Sequence, residues 1–125
     1  MGDRISIQFR KKADYIGMKK SKNVEYDTSI AFFSHWDGKT LIKVVNTYAD
    51  GLQAWLAKEG KDTVREPLHR LQPDTVMVDF IVWFGKTQEG RITGNYYLGK
   101  DANDGDNSDN GNWVYDLDEM DWVYD

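Results

Sequence analysis

The chain contains no cysteine. Disulfides, thiolate nucleophiles and thiolate metal sites are thereby excluded together, and a reducing cytoplasm is the expected setting. No apolar run approaches the roughly 18 residues of a spanning helix. The N-terminus carries no apolar signal-peptide core, so neither membrane nor export is expected. The histidines are His35 and His69, and without cysteine they make no zinc signature. A G-x-S-x-G elbow and a glycine-rich phosphate loop are also missing. After Lys100 there is no Lys or Arg at all, although carboxylates stand at Asp101, Asp104, Asp106, Asp109, Asp116, Asp118, Glu119, Asp121 and Asp125.

What is present suits one domain spanning residues 1–125, with 40% hydrophobic and 14% aromatic residues to build a core. The net charge of −5 hides a split. Residues 1–70 carry 13 Lys/Arg against 9 Asp/Glu, whereas residues 71–125 carry 3 against 12. Pairing between the halves is the simplest use of that asymmetry, and a bipolar surface is the other.

Residues 4–10 alternate apolar and polar, as a half-buried strand does. Met1 to Ser6 also fits the myristoylation pattern, but Ile5, Ile7 and Phe9 are wanted by the core, and lipidation is not expected. Residues 29–36 form a second strand with Ile30, Phe32 and Ser34 on one face. Between Lys39 and Lys58, Leu41, Val45, Tyr48, Leu52 and Trp55 recur at helical spacing. Asp37 or Thr40 is placed to cap that helix and Gly60 to end it. Gly51 inside it implies a close packing contact, because glycine there costs about 1 kcal/mol relative to alanine. Pro73 opens a second, apolar helix whose face is Val76, Met77, Phe80, Ile81 and Phe84, with Gly85 at its end. A strand over 91–99 has Ile92, Gly94, Tyr96 and Leu98 on one side. Strands at Trp113–Leu117 and Trp122–Tyr124 follow the loop DANDGDNSDNGN, and the tetrapeptide WVYD recurs at residues 113–116 and 122–125. The order ββ-αα-βββ predicts an α+β two-layer sandwich, a mostly antiparallel sheet with helices on one face.

The strand end Ser34-His35-Trp36-Asp37-Gly38 resembles a Ser/Thr-His-Trp-x-Gly signature found in small uncharacterised proteins of phages, prophages and archaea. The opening Met1-Gly2-Asp3-Arg4 and the element order are similar to the same proteins. The resemblance implies an accessory protein of viral or archaeal character and no established chemistry.

Several sites follow from the residues themselves. Asp101, Asn103, Asp104, Asp106, Ser108 and Asn110 supply alternating oxygen donors of the kind calcium takes in sets of about 6–8. Asp106 to Gly111 matches the opening of an EF-hand loop, but Leu117 stands where its bidentate Glu belongs. The same residues also favour turns, so a solvated loop is the plainer reading. His35 beside Trp36 offers a general base, or else fixes the strand-to-helix turn while Trp36 packs beneath the helix. Ser34 and His35, adjacent on a strand, face opposite ways and make no dyad. Arg10, Lys11, Lys12, Lys19, Lys20 and Lys22 around Tyr15 suit a nucleic-acid backbone, although a pI near 5.0 opposes tight binding. Asp116, Asp118, Glu119, Asp121 and Trp122 form an acidic, aromatic surface suited to a basic protein partner. A non-catalytic protein-binding module is the leading expectation, with a calcium-stabilised module and a small His35-dependent enzyme as alternatives.

Overall fold

The computed structural model describes residues 2–12, 26–59, 71–87 and 94–123. In chain order they form β1 (Ile5–Lys12), β2 (Tyr26–Thr28), β3 (Ala31–Ser34), α1 (Thr40–Glu59), α2 (Pro73–Thr87), β4 (Tyr96–Gly99), β5 (Asn112–Asp116) and β6 (Asp121–Trp122). The sheet runs β4-β3-β1-β5-β6, and β2 pairs with the far end of β1. Every pairing is antiparallel except that of β1 with β5. The expected α+β class and element order are therefore observed.

Alternation along β1 sorts the molecule into layers. Ile5, Ile7 and Phe9 point into one apolar cluster with Phe32, Tyr115 and the inner faces of both helices. Helix α1 contributes Leu41, Val45, Tyr48, Leu52 and Leu56; α2 contributes Val76, Met77, Phe80 and Phe84. Phe80 is central, in edge-on contact with Phe9, Phe32 and Tyr48 at 5.4–6.0 Å between ring centres. Such contacts add to the burial of the rings themselves.

The second expected strand is divided. Thr28 pairs with Arg10 and Phe32 with Ile7, so the three residues 29–31 lie opposite the two residues 8–9. That extra residue is a β-bulge at Ser29-Ile30. Its backbone N–H groups remain satisfied: the Ser29 N–H donates to Phe9 O, whose own N–H donates to Ser29 Oγ, and the Ile30 N–H donates to the Asp74 carboxylate in the first turn of α2.

Other boundaries shift for local reasons. β1 continues through Lys11 and Lys12, because β2 supplies partners for both, so these two of the basic residues belong to a strand. α1 starts on backbone turns: the Leu41 N–H reaches Gly38 O and the Ile42 N–H reaches Lys39 O, with neither Asp37 nor Thr40 needed as a side-chain cap. α2 passes through Gly85 and stops at Thr87, whose hydroxyl returns to Phe84 O. Leu98 is largely exposed on the outermost strand. The expectations resting on Tyr15, Lys19, Lys20, Lys22, Gly60, His69, Ile92 and Tyr124 lie outside the described residues. No helix among those described is long and apolar enough to cross a membrane.

Candidate binding surface

The sheet's second face mixes polar and aromatic residues, and part of it is buried. Ser6 is 0% exposed and Phe33 also 0%, although neither faces the helices. What covers them is the acidic loop. Gly105 lies against the Tyr97 and Phe33 rings so closely that a Cβ there would sit 2.7–2.8 Å from their carbons. Phe33 and Tyr97 stack at 4.8 Å with planes 5° apart, a platform on which the loop rests.

Polar anchors hold the loop in register. Asn107 Nδ2 donates to Ser6 Oγ at 2.8 Å, and Ser6 Oγ donates to Asn112 Oδ1 at 2.7 Å. The Asp106 N–H donates to the Tyr97 hydroxyl at 2.8 Å. Asn110 Nδ2 reaches Asp3 Oδ1 at 2.6 Å, while Asp109 Oδ2 accepts the Arg4 N–H at 2.9 Å. The loop is thus stitched to the N-terminal segment and β1, about 100 residues away in sequence.

The loop's carboxylates largely serve its own turns. Asp101 Oδ1 accepts the Asn103 N–H, and Asp104 Oδ2 accepts the Lys100 N–H. Asp106 Oδ1 accepts both the hydroxyl and the N–H of Ser108. Those two hydrogen bonds, with the Arg4 guanidinium at 3.3 Å, hold the Asp106 carboxyl below its usual range. Asp101, Asn103, Asp104, Asp106 and Ser108 remain exposed, and Asn110 is half-buried. Among the described residues, no three His, Asp or Glu side chains converge on one point.

His35 and Trp36 border this cap. The imidazole lies tilted on the Tyr97 ring at 4.9 Å, half-exposed. Asn95 Oδ1 accepts the N–H groups of both His35 and Trp36, and its amide donates to Asp37 Oδ1. Tyr96 donates to Asp37 Oδ2 at 2.6 Å. Burial and that carboxylate raise the Tyr96 phenol to about 12. Gly38 has φ of 55°, and a Cβ there would run into the Asp3 carboxylate. The Ser34–Gly38 signature therefore builds a hydrogen-bonded corner. Trp36 does not pack beneath the helix: it is 61% exposed.

At the other end of β5 the picture divides. Asp116 is 4% exposed and pairs with Arg10 at 2.8 Å, beneath a guanidinium that lies 3.9 Å over Tyr26. Its Oδ1 also accepts the N–H groups of Asp118 and Glu119. Desolvation raises the Asp116 carboxyl, but the Glu119 N–H, Arg10 and the Asp118 N–H outweigh it and leave it below its usual range. Trp122 is 7% exposed, edge-on to Tyr115 and Trp113, with its indole N–H on Asn46 Oδ1. Neither Asp116 nor Trp122 is presented to a partner, a correction to the acidic, aromatic surface expected of them. Asp118, Glu119 and Asp121 are exposed.

One grouping escaped the sequence reading. Tyr48, Gly51, Leu52 and Trp55 of α1 and Asp79 and Trp83 of α2 line a cavity of about 280 Å³. Gly51 makes no close contact there, contrary to expectation: a Cβ would meet nothing within 4 Å. Its position in a helix, without a steric reason, was the available signal.

No family model matches the chain, and neither curated proteins nor solved structures provide a match.

Proposed function

We propose that this chain is a non-catalytic accessory protein, of the phage or archaeal character its motif resembles, that binds a protein partner through carboxylates of its C-terminal third. The observation that carries this reading is the acidic loop, folded as a cap with its charges held outward by their own turns. A fixed array loses less conformational freedom on docking than a solvated loop would, which favours binding. Trp36, 61% exposed and next in the chain to His35, whose ring rests on Tyr97, supplies an aromatic anchor of the sort that dominates interfaces.

The test replaces Asp101, Asp104, Asp106 and Asp109 together by Asn, which keeps an acceptor oxygen for each turn while removing the charge. A second variant carries Asp118→Asn, Glu119→Gln and Asp121→Asn, and a third Trp36→Ala. Partner recovery from host lysate by the tagged full chain should fall at least about tenfold with the first or third variant and weaken with rising salt. Equal recovery from all three, with melting temperatures unchanged, removes the proposal.

A further inference from the structure

The cavity between α1 and α2 combines features that a simple packing defect does not. Trp83 and Tyr48 stand 5.5 Å apart at 56°, and Trp55 and Leu52 complete the apolar wall. Asp79 enters this aromatic setting from α2, half-buried, and accepts a 2.6 Å hydrogen bond from the Tyr48 hydroxyl on Oδ2. Among the described residues no Lys or Arg forms an ion pair with it. A carboxylate in such a setting loses part of its hydration, and a cation resting beside it on the accessible indole surface restores the lost stabilisation.

Gly51 is the second, independent observation. Glycine within a helix costs about 1 kcal/mol relative to alanine. Nothing in the backbone demands it, since the positive-φ glycines among the described residues are Gly38 and Gly111. Nor does any neighbour crowd it. The missing side chain leaves space at the cavity, and any larger residue would take that space.

We infer that Trp55, Asp79 and Trp83 form a binding site for a small organic cation, a substituted ammonium in chemical class, with the buried Tyr48 holding the Asp79 carboxylate in place and Gly51 keeping the site accessible. The Trp55 and Trp83 faces receive the alkyl groups by cation–π attraction, and the Asp79 carboxylate neutralises the charge. At about 280 Å³ the space lies just under the roughly 300 Å³ at which small-molecule pockets begin, so the ligand is compact. This site is separate from the acidic cap, and neither reading requires the other.

The experiment follows the indole N–H resonances of the full chain by NMR, with Trp55→Phe and Trp83→Phe used to assign them. The probes are choline and 3,3-dimethylbutan-1-ol, its neutral isostere. Choline should shift the Trp55 and Trp83 signals saturably, with the alcohol at least about tenfold weaker. Asp79→Asn, which can still accept from Tyr48, should weaken choline by at least about tenfold. Gly51→Leu should abolish the shifts while the melting temperature holds or rises, which separates a filled site from an unfolded one. Equal affinity for choline and the alcohol, an unchanged affinity in Asp79→Asn, or no saturable shift with choline overturns the proposal.

Discussion

Two side chains in this molecule convert local contacts into pH dependence of opposite sense. Asp116 has its carboxyl held below the ordinary value near 3.8 by the Glu119 N–H, Arg10 and the Asp118 N–H, against the cost of burial. A depressed folded value means stabilisation that is complete above the unfolded value and drains away as pH falls through the folded one. Stability to urea should therefore decline below about pH 4, and less steeply in Asp116→Asn. Asp116→Ala at neutral pH should cost about 3 kcal/mol, the low end for breaking a buried pair because Arg10 stays partly exposed. Tyr96 behaves in mirror image. Its phenol is raised from 10.0 to about 12 by burial and by Asp37, so the neutral form is favoured by folding. That contribution is intact below pH 10 and is lost between pH 10 and about 12. In Tyr96→Phe the fall in melting temperature across this alkaline window should be shallower than in the parent.

At the scale of elements, periodicity and contact range separate what could be foreseen from what could not. The α1 stripe from Leu41 to Trp55 and the α2 face from Val76 to Phe84 are local patterns, and both turn to the core as their spacing requires, although Trp55 and Ile81 are only partly buried at its margin. Pro73 marks the start of α2 for an equally local reason. The acidic loop looked solvated because its anchors, Ser6, Phe33 and Tyr97, are scattered along the chain, and composition alone reports only a preference for turns. A hint was nonetheless available: Phe32-Phe33 and Tyr96-Tyr97 place rings on both faces of their strands, which one covered face does not need. The bulge at Ser29-Ile30 left no signature, since it depends on where β1 and α2 meet it. The cap makes Gly105 a demanding position. Gly105→Ala should destabilise by about 1–3 kcal/mol, as overpacking does, whereas Gly51→Ala should stabilise by about 1 kcal/mol. Paired chemical denaturation of these two variants checks both signs.

For the molecule as a whole, the C-terminal third is structural before it is anything else. β5 lies beside β1 with five paired positions from Ser6↔Asn112 to Arg10↔Asp116, and β6 completes that edge. The acidic loop leads into β5 at the Ser6 end and the Asp118–Asp121 turn leaves it at the Arg10 end, so the exposed charges form two patches. They are separated by about 13 Å of strand at 3.3 Å per residue. Removing residues 101–125 would uncover the β1 edge, take Tyr115, Leu117 and Trp122 from the core, and strip the cover from Phe33. Each buried ring or large aliphatic is worth about 1.5–3 kcal/mol, so these four side chains together amount to about 6–12 kcal/mol, comparable with the whole 5–15 kcal/mol by which domains of this size are stable. A chain ending at Lys100 should therefore lose cooperative thermal unfolding and near-ultraviolet circular dichroism. If it instead melts as a single sharp transition, β5 contributes less than its position implies and the cap is a separable appendage. The asymmetry of charge along the sequence then belongs to the binding surface alone; if cooperativity is lost, the Arg10–Asp116 pair shows that part of it serves to join the two halves of the chain.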